Sequence, residues 1–515
     1  MKQTTITLLF VALLLSGCDL DQKPKTNIPY RSGDPIIEND IQLDAFRYGA
    51  ASSFRKTIGG QYALCTDLMC DCFNATSGYG NNYGSIHCTD DSFTASDNYV
   101  AGWWGGQYSA IKDFNVLIDG IEIYEAEGHG STLSSVSKGE AYFYRAYSYL
   151  QLIRAFAKDY EPATADQLPG VPLVLKVDVH GLPSRATVSD VYEQICKDLD
   201  SAAVNINSFG EANSLLPTLD AVNALRARVY LDMHRYSEAA SIAWSLISAG
   251  RYALSSTKAE MVDEFTYDRG REALVRMLLD AGQVSVSELG GISSFKPYTA
   301  LTHEGTISKI CCYKPSYLPS SVLTGLYETE DLRLSSWFDS DDYPIYMNGS
   351  IHRENGVKVF VKFIGNPSFN TGSLQAGVQS PKPLMIGEQY LIAAEALHLS
   401  GDDSKALDVL NELRRNRGAS ALTVFSIDDL KDEWCRETAG DGLRMSCLKR
   451  WHDGFSSRKA QNEAIDADLV LDGGSFTEKN LGKDSDIWSW PIPDYDRRLN
   501  PNLEQNPGYG TDITY

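Results

Sequence analysis

Tyr390-Leu391-Ile392-Ala393-Ala394-Glu395-Ala396-Leu397, followed by Lys405-Ala406-Leu407, is the stretch that decides the architecture. It places two small residues, Ala394 and Ala406, twelve positions apart on either side of a turn. The same spacing separates Ala227, in Ala227-Arg228-Val229-Tyr230, from Ala239, in Tyr236-Ser237-Glu238-Ala239. Small residues at these two places let the antiparallel helices of a hairpin approach closely, and large apolar residues between them fill the groove to the next hairpin. The pattern predicts a mainly α fold on a tetratricopeptide-repeat scaffold. Beyond the second copy, Arg414, Arg415 and Arg417 precede Gly418, cations suiting the negative end of a helix and glycine its cap, so these arginines read as structural.

Outward from the repeats, helical periodicity dominates the first half. Val188, Val191, Tyr192, Ile195, Leu199, Ala202 and Ile206 step by threes and fours along one apolar stripe, and Thr187 with Asp190 forms a capping box at its start. Further helical patterns run from Lys138 to Ala157 and from Trp104 to Tyr124. Residues 255–380 change character: Gly, Ser, Pro, Tyr and Asn rise, and extended runs such as Val357 to Ile364 read as strands. A long irregular insertion in a helical scaffold is where binding loops sit, and residues 60–102, with Gly78, Gly80, Asn81, Asn82 and Gly84, resemble it. The tail from Trp490 carries Pro491, Pro493, Pro501 and Pro507 and is expected to run as an extended strap. The division is therefore a helical part at 36–254, a loop-rich, partly β insertion at 255–380, and a repeat hairpin with strap at 381–515, intertwined as one domain.

The formal net charge of -22 over 515 residues comes from acids spread through the chain, with no Lys/Arg stripe. Nucleic-acid binding needs clustered basic residues, so this balance argues against such a partner. At the start, Lys2 supplies a positive n-region, Ile6 to Leu15 an apolar h-region, and Leu15-Ser16-Gly17-Cys18 a small-residue cleavage site. The apolar run falls short of the ~20 residues that span a bilayer, so residues 1–17 read as a signal peptide. Its likeness to the bacterial lipobox implies that Cys18 becomes a lipidated N-terminus held on a membrane by acyl chains. Residues 18–35 follow as a polar tether. Nine cysteines come after Cys18; the spacing of Cys65, Cys70, Cys72 and Cys88 lacks the paired knuckles of a zinc site, and only the isolated His87 lies near, so disulfides or buried thiols are expected. Cys311 and Cys312 are left unexplained.

Six ordered segments resemble the SusD/RagB family of nutrient-uptake lipoproteins. Trp104, Tyr108, Ile111 and Asn115 fit its early helix. Glu140-Ala141, Arg145-Ala146, Phe156 and Val171-Pro172-Leu173 fit the next segment, with a longer insert between Phe156 and Val171. Val191-Tyr192, Ile195, Asp198-Leu199 and Ala202 follow. Gly442, Arg444, Leu448 and Arg450 fit the family's basic helix. Trp490-Pro491-Ile492-Pro493, Asn500-Pro501-Asn502-Leu503 and Gln505-Asn506-Pro507-Gly508-Tyr509 fit its C-terminal strap. Cys447 stands where the family usually has Asp, and Thr438-Ala439 replace apolar residues nearby. The resemblance implies an outer-membrane, cell-surface location, a TonB-dependent SusC-like barrel as partner, an oligosaccharide ligand, no cofactor and no catalysis. Binding positions are not motif-defined in that family, so none is carried over.

No G-x-S-x-G elbow, H-E-x-x-H or Walker loop is present; His303-Glu304 lacks its second histidine. Glycoside hydrolysis needs only two acids at the right separation, and Asp341-Asp342 and Asp90-Asp91, the nearest candidates, read as solvated turns. Sugar recognition needs flat aromatic faces for C–H groups and planar polar groups for hydroxyls. Asp71, Asn98, Tyr99 and Trp103 supply them in the first loop region, and Tyr298, Tyr313, Tyr317, Trp337 and Tyr343 in the second. A cleft between the two is the expected ligand site, with Trp103 and Trp337 as stacking platforms. Trp451, Trp488 and Trp490 read instead as core and strap anchors. A surface glycosidase and a scaffold that binds only proteins stay open as alternatives.

Overall fold

The computed structural model describes residues 33–59, 61–178, 180–277, 297–300, 310–340, 344–348, 350–352, 356–363, 365–369, 379–462 and 468–510. Cys18 with its leader, most of the tether, His303-Glu304, Asp341-Asp342 and Tyr343 lie outside them. The scaffold consists of α1 (Asp40–Ile58), α2 (Asn98–Tyr124), α3 (Thr132–Phe156), α4 (Val188–Asn205), α5 (Leu219–Asp232), α6 (Tyr236–Ser248), α7 (Ile386–Leu399), α8 (Asp403–Asn416), α9 (Ile427–Glu437) and α10 (Arg444–Arg450). From α2 to α7 each helix packs on its predecessor and its successor, α8 packs on α7, and α9 returns to α7, the stacking of a repeat array. The array is continuous across the insertion, because α6 packs directly on α7 although the intervening chain runs out into the second half.

The local reasons are those of the sequence. In α4 the residues Val188, Val191, Tyr192, Ile195, Leu199 and Ala202 are buried, and Thr187 and Asp190 cap each other's amides at 3.0 and 3.3 Å. Ala227, Ala239, Ala394 and Ala406 are all fully buried in helices that pack as the hairpins α5/α6 and α7/α8. α3 comes close to the end of α4 at Gly139, where an added Cβ would stand 2.7 Å from Ile206 Cγ1 and 2.9 Å from Asn205 Cβ.

The insertion is built of short strands: β2 (Ala273–Val275) with β10 (Leu384–Met385) at its root; β6 (Phe338–Asp339) with β9 (Val359–Phe360); and a four-stranded sheet in the order β3 (Pro297–Ala300), β4 (Ile310–Tyr313), β7 (Ile345–Met347), β8 (Ser350–His352). β5 (Tyr317–Pro319) pairs outside it with β1 (Phe73–Ala75). A buried charge network rivets the insertion to the repeats. Arg417 binds Glu272 and Glu437; Arg333 binds Asp331, Glu433 and Glu437; Arg414 and Arg436 bind Glu433. Burial works against the charge on Glu433, yet Arg333, Arg436 and Arg414 together hold its carboxyl down to about 2. Of the arginines read as helix-end cations, Arg414 and Arg417 are structural through ion pairs across elements, Arg415 is exposed in the last turn, and Gly418 takes the left-handed cap conformation at φ 73.

Several boundaries differ from expectation. α2 begins at Asn98 rather than Trp104, because Asp97 caps the amides of Tyr99 and Val100; Asn98, Tyr99 and Trp103 are therefore helical, not loop residues. Within residues 60–102 the chain also forms helices at Gln61–Leu68 and Gly84–Cys88. The strap contains a short helix, Asp494–Leu499, entered at Pro493, where a missing N–H costs nothing. Trp490 anchors the strap as expected, fully buried with its ring edge-on to Trp103 and Phe156, whereas Trp451 is only half-buried. Among the described residues Cys65, Cys70, Cys72, Cys88, Cys196, Cys435 and Cys447 are free thiols. His87 is buried with Nδ1 on Leu68 O at 2.8 Å and Nε2 facing the Ala75 amide at 3.4 Å, which leaves neither nitrogen for a metal. No helix of the described residues is long and apolar enough to cross a membrane.

Candidate functional site

The two loop regions expected to converge do meet. β1 and β5 pair antiparallel, Phe73 opposite Pro319, Asn74 opposite Leu318 and Ala75 opposite Tyr317. Past β1 the chain rises through residues 76–84 in successive turns: Tyr79 N donates to Thr76 O, Asn82 N to Tyr79 O and Gly84 N to Asn81 O. Gly80, Asn81 and Tyr83 take left-handed backbone at φ 61, 58 and 57, conformations that glycine and asparagine reach at the lowest cost. Thr76 fastens this loop to the carbonyls of Pro315 and Ser316. Asn82 Nδ2 donates to Ser316 Oγ at 3.3 Å, and the Tyr317 hydroxyl donates to Asn82 O. Asn348, itself left-handed at φ 49, donates from its side chain to Ser77 Oγ at 3.0 Å.

The result is a rigid shelf. Tyr79 is half-buried, its ring edge-on to Tyr317 and Phe476 at centroid distances of 6.3 and 6.2 Å. Tyr99 is half-buried against Tyr83, 4.7 Å between centroids, and so brings the first turn of α2 with Asn98 to the same loop. Asn81, Asn98 and Asn348 are exposed and Asn82 partly so. An aromatic ring held from one side and amides projecting around it can cover a sugar's C–H face and answer its hydroxyls.

Of the described residues singled out from sequence, Asn98 and Tyr99 lie on this shelf and Tyr317 supports it from below, whereas Asp71, Trp103, Tyr313 and Trp337 are buried elsewhere. Trp103 and Trp337, expected as stacking platforms, are 2% and 0% exposed. Trp103 fills core against Trp490. Trp337 sits edge-on to Phe265 with Lys362 Nζ 4.2 Å above its ring. Asp71 is buried, both oxygens held by Arg444 at 2.9 and 2.7 Å; burial opposes its charge, but Arg444 keeps its carboxyl below the usual range. Tyr313 is buried with its hydroxyl on Asp339 at 2.7 Å, and Tyr317 is core. Tyr298 lies on β3 opposite Cys312 of β4. The prominent aromatic of the shelf, Tyr79, had a signal in the sequence that composition alone did not rank: a tyrosine inside Gly78-Tyr79-Gly80-Asn81-Asn82, where neighbours permit left-handed turns and offer no apolar cover.

A separate cavity of about 110 Å³ opens between the repeats and the insertion, lined by Tyr147, Gln151, Phe265, Phe363 and Met385 with charged residues. Its charges are mutually satisfied: Arg228 with Glu388, Lys362 with Asp441 and Lys382 with Asp268.

The model of a family described as starch-binding and associating with the outer membrane matches residues 20–231, and the SusD family model matches residues 360–509. SusD-like protein P2 of Formosa agariphila is 23% identical over 99% of this chain and its own full length. SusD-like protein P38 of the same organism is 22% identical over 72% of this chain and 73% of its own. Among solved structures, a SusD superfamily protein from Bacteroides thetaiotaomicron superposes with a TM-score of 0.71 at 23% identity, over 90% of this chain and 99% of its own. One from Bacteroides vulgatus described as a sugar-binding protein gives 0.72 at 19% identity, over 93% of this chain and all of its own.

Proposed function

The chain belongs to the SusD/RagB family, and from that premise we propose that it is a cell-surface lipoprotein that captures an oligosaccharide and passes it, unhydrolysed, to a TonB-dependent SusC-like barrel. The observation that carries this reading is the shelf on which half-buried Tyr79 and Tyr99 share one loop region with the solvent-facing Asn81, Asn82, Asn98 and Asn348. Ring faces and carboxamides are the groups that neutral sugars reward. The chemistry of a hydrolase finds no support on the same segment, since Asp71 is paired with Arg444, Asp90 accepts from Ser92, and Asp97 caps α2. The lipobox-like Leu15 to Cys18 supports anchoring. The repeat array supplies a large protein-facing surface for the barrel.

The test is affinity for a polysaccharide panel, read together with the appearance of new reducing ends. Tyr79→Ala is expected to weaken binding more than tenfold, since losing an aromatic anchor costs ~2 kcal/mol. Trp103→Ala and Trp337→Ala should lower the melting temperature instead. Undiminished binding by Tyr79→Ala removes the shelf as the site, and new reducing ends overturn the non-catalytic reading.

A further inference from the structure

The insert that lengthens this chain between Phe156 and Val171 lies against two helix ends. Its acids Asp159 and Glu161 come to His234, just past α5, and His452, just past α10. His452 Nε2 lies 2.8 Å from Glu161 Oε1 and 3.7 Å from Asp159 Oδ2, and His234 Nε2 lies 3.9 Å from Glu161 Oε1. The ligand atoms of Asp159, Glu161 and His452 all fall within 4.8 Å of one another. A tetrahedral zinc ion with nitrogen and oxygen ligands at ~2.0–2.2 Å sets neighbouring ligands about 3.3–3.6 Å apart; the His452 separations of 2.8 and 3.7 Å bracket that edge, while His234 stands just outside the group.

Three further features fit a cation. Asp159 Oδ2 is shut off from solvent without a hydrogen-bond donor, a costly state for a carboxylate oxygen that a metal would relieve. Both histidines sit in left-handed backbone just past their helix ends, at φ 59 and φ 50, and both reach the same carboxylate, Glu161. The root of the insert is fixed independently, because buried Lys449 Nζ donates to Arg154 O and Ala157 O at 2.6 and 2.7 Å. The nearby cations Arg154 and Arg450 are engaged with Asp232. We propose that Asp159, Glu161 and His452 form a site for a divalent transition-metal ion, zinc by the imidazole and carboxylate donor set, which a turn of the His234 side chain completes and which clamps the insert to the ends of α5 and α10. The four side chains keep between 20% and 56% of their exposure, so the ion exchanges with solvent rather than being locked in.

The experiment uses the untagged mature protein, stripped with a chelator and titrated with zinc chloride by calorimetry and thermal melting. One equivalent should bind and raise the melting temperature, with calcium and magnesium chloride failing to substitute. His452→Asn and His234→Asn, chosen because asparagine tolerates left-handed backbone, and Glu161→Gln should each weaken zinc binding at least tenfold. His398→Ala, which removes a histidine that meets a single carboxylate, Asp403, at 2.7 Å, should leave it unchanged. Cobalt in place of zinc reports four-coordination on the parent protein through its visible spectrum, whatever the variants' stability. Absence of saturable binding, binding retained in the His234/His452 double variant, or loss in His398→Ala overturns the proposal and leaves a histidine–carboxylate hydrogen bond only.

Discussion

Asp67 shows how a single side chain can tie two distant parts of the chain together. It is 1% exposed, and its two oxygens accept from the backbone amides of Arg444 and Gly442 at 3.0 and 3.1 Å. Burial outweighs those amides and pushes its carboxyl from 3.8 up to about 7. The folded state therefore binds this proton more tightly than the unfolded one. Its contribution to stability is present in full below about pH 4 and is lost as pH rises through about 7. Asp67→Asn should flatten the stability curve across that window, so that the gap between parent and variant shifts in the variant's favour from pH 4.5 to pH 8. Denaturant melts at several pH values measure this, and a parallel pair of curves would refute it. Side chains of this kind explain why the site was only partly readable from sequence. Trp103, Trp337 and Tyr313 have the composition of sugar platforms, and nothing local in the sequence distinguishes a tryptophan that meets solvent from one that meets Trp490 or Phe265 from a distant part of the chain. Burial is decided by long-range pairing.

At the scale of elements, legibility follows the range of the forces. The α4 stripe and its Thr187–Asp190 capping box depend on residues three and four apart, and both formed where the sequence placed them. The small residues of the repeats did likewise. α2 starts six residues before Trp104 because the Asp97 cap sets its beginning despite Gly102, Gly105 and Gly106. The insertion's short strands and its arginine–glutamate rivets arise from partners far apart in sequence, and only the loop-rich, partly β character of that region was visible. The α3–α4 contact provides a direct check. Gly139→Ala would force Ile206 and Asn205 aside, and overpacking of this kind typically costs ~1–3 kcal/mol. A loss in that range by chemical unfolding is expected, with glycan affinity unchanged because the shelf is built from other elements; a neutral effect on stability would show that the two helices have slack.

For the molecule as a whole, the described residues start at 33 and the proposed anchor at Cys18 sets the body at the end of a short polar tether. Replacing Cys18 with Ala should release the protein from the membrane fraction, because the burial of acyl chains at ~0.8 kcal/mol per CH₂ is lost. Fractionation followed by immunoblotting reads the outcome, and full retention would disprove the lipid anchor. The strap bears on the same question of how the molecule reaches its place. The space between α2 and α3 is closed by Trp490, whose ring meets Trp103 and Phe156 and whose amide donates to Ala155 O. The core of the first repeat thus waits for a residue more than three hundred positions further along the chain. A polypeptide delivered across a membrane with its N-terminus leading cannot close that core on the far side until Trp490 has arrived, and until then the part in transit stays loose enough to be threaded.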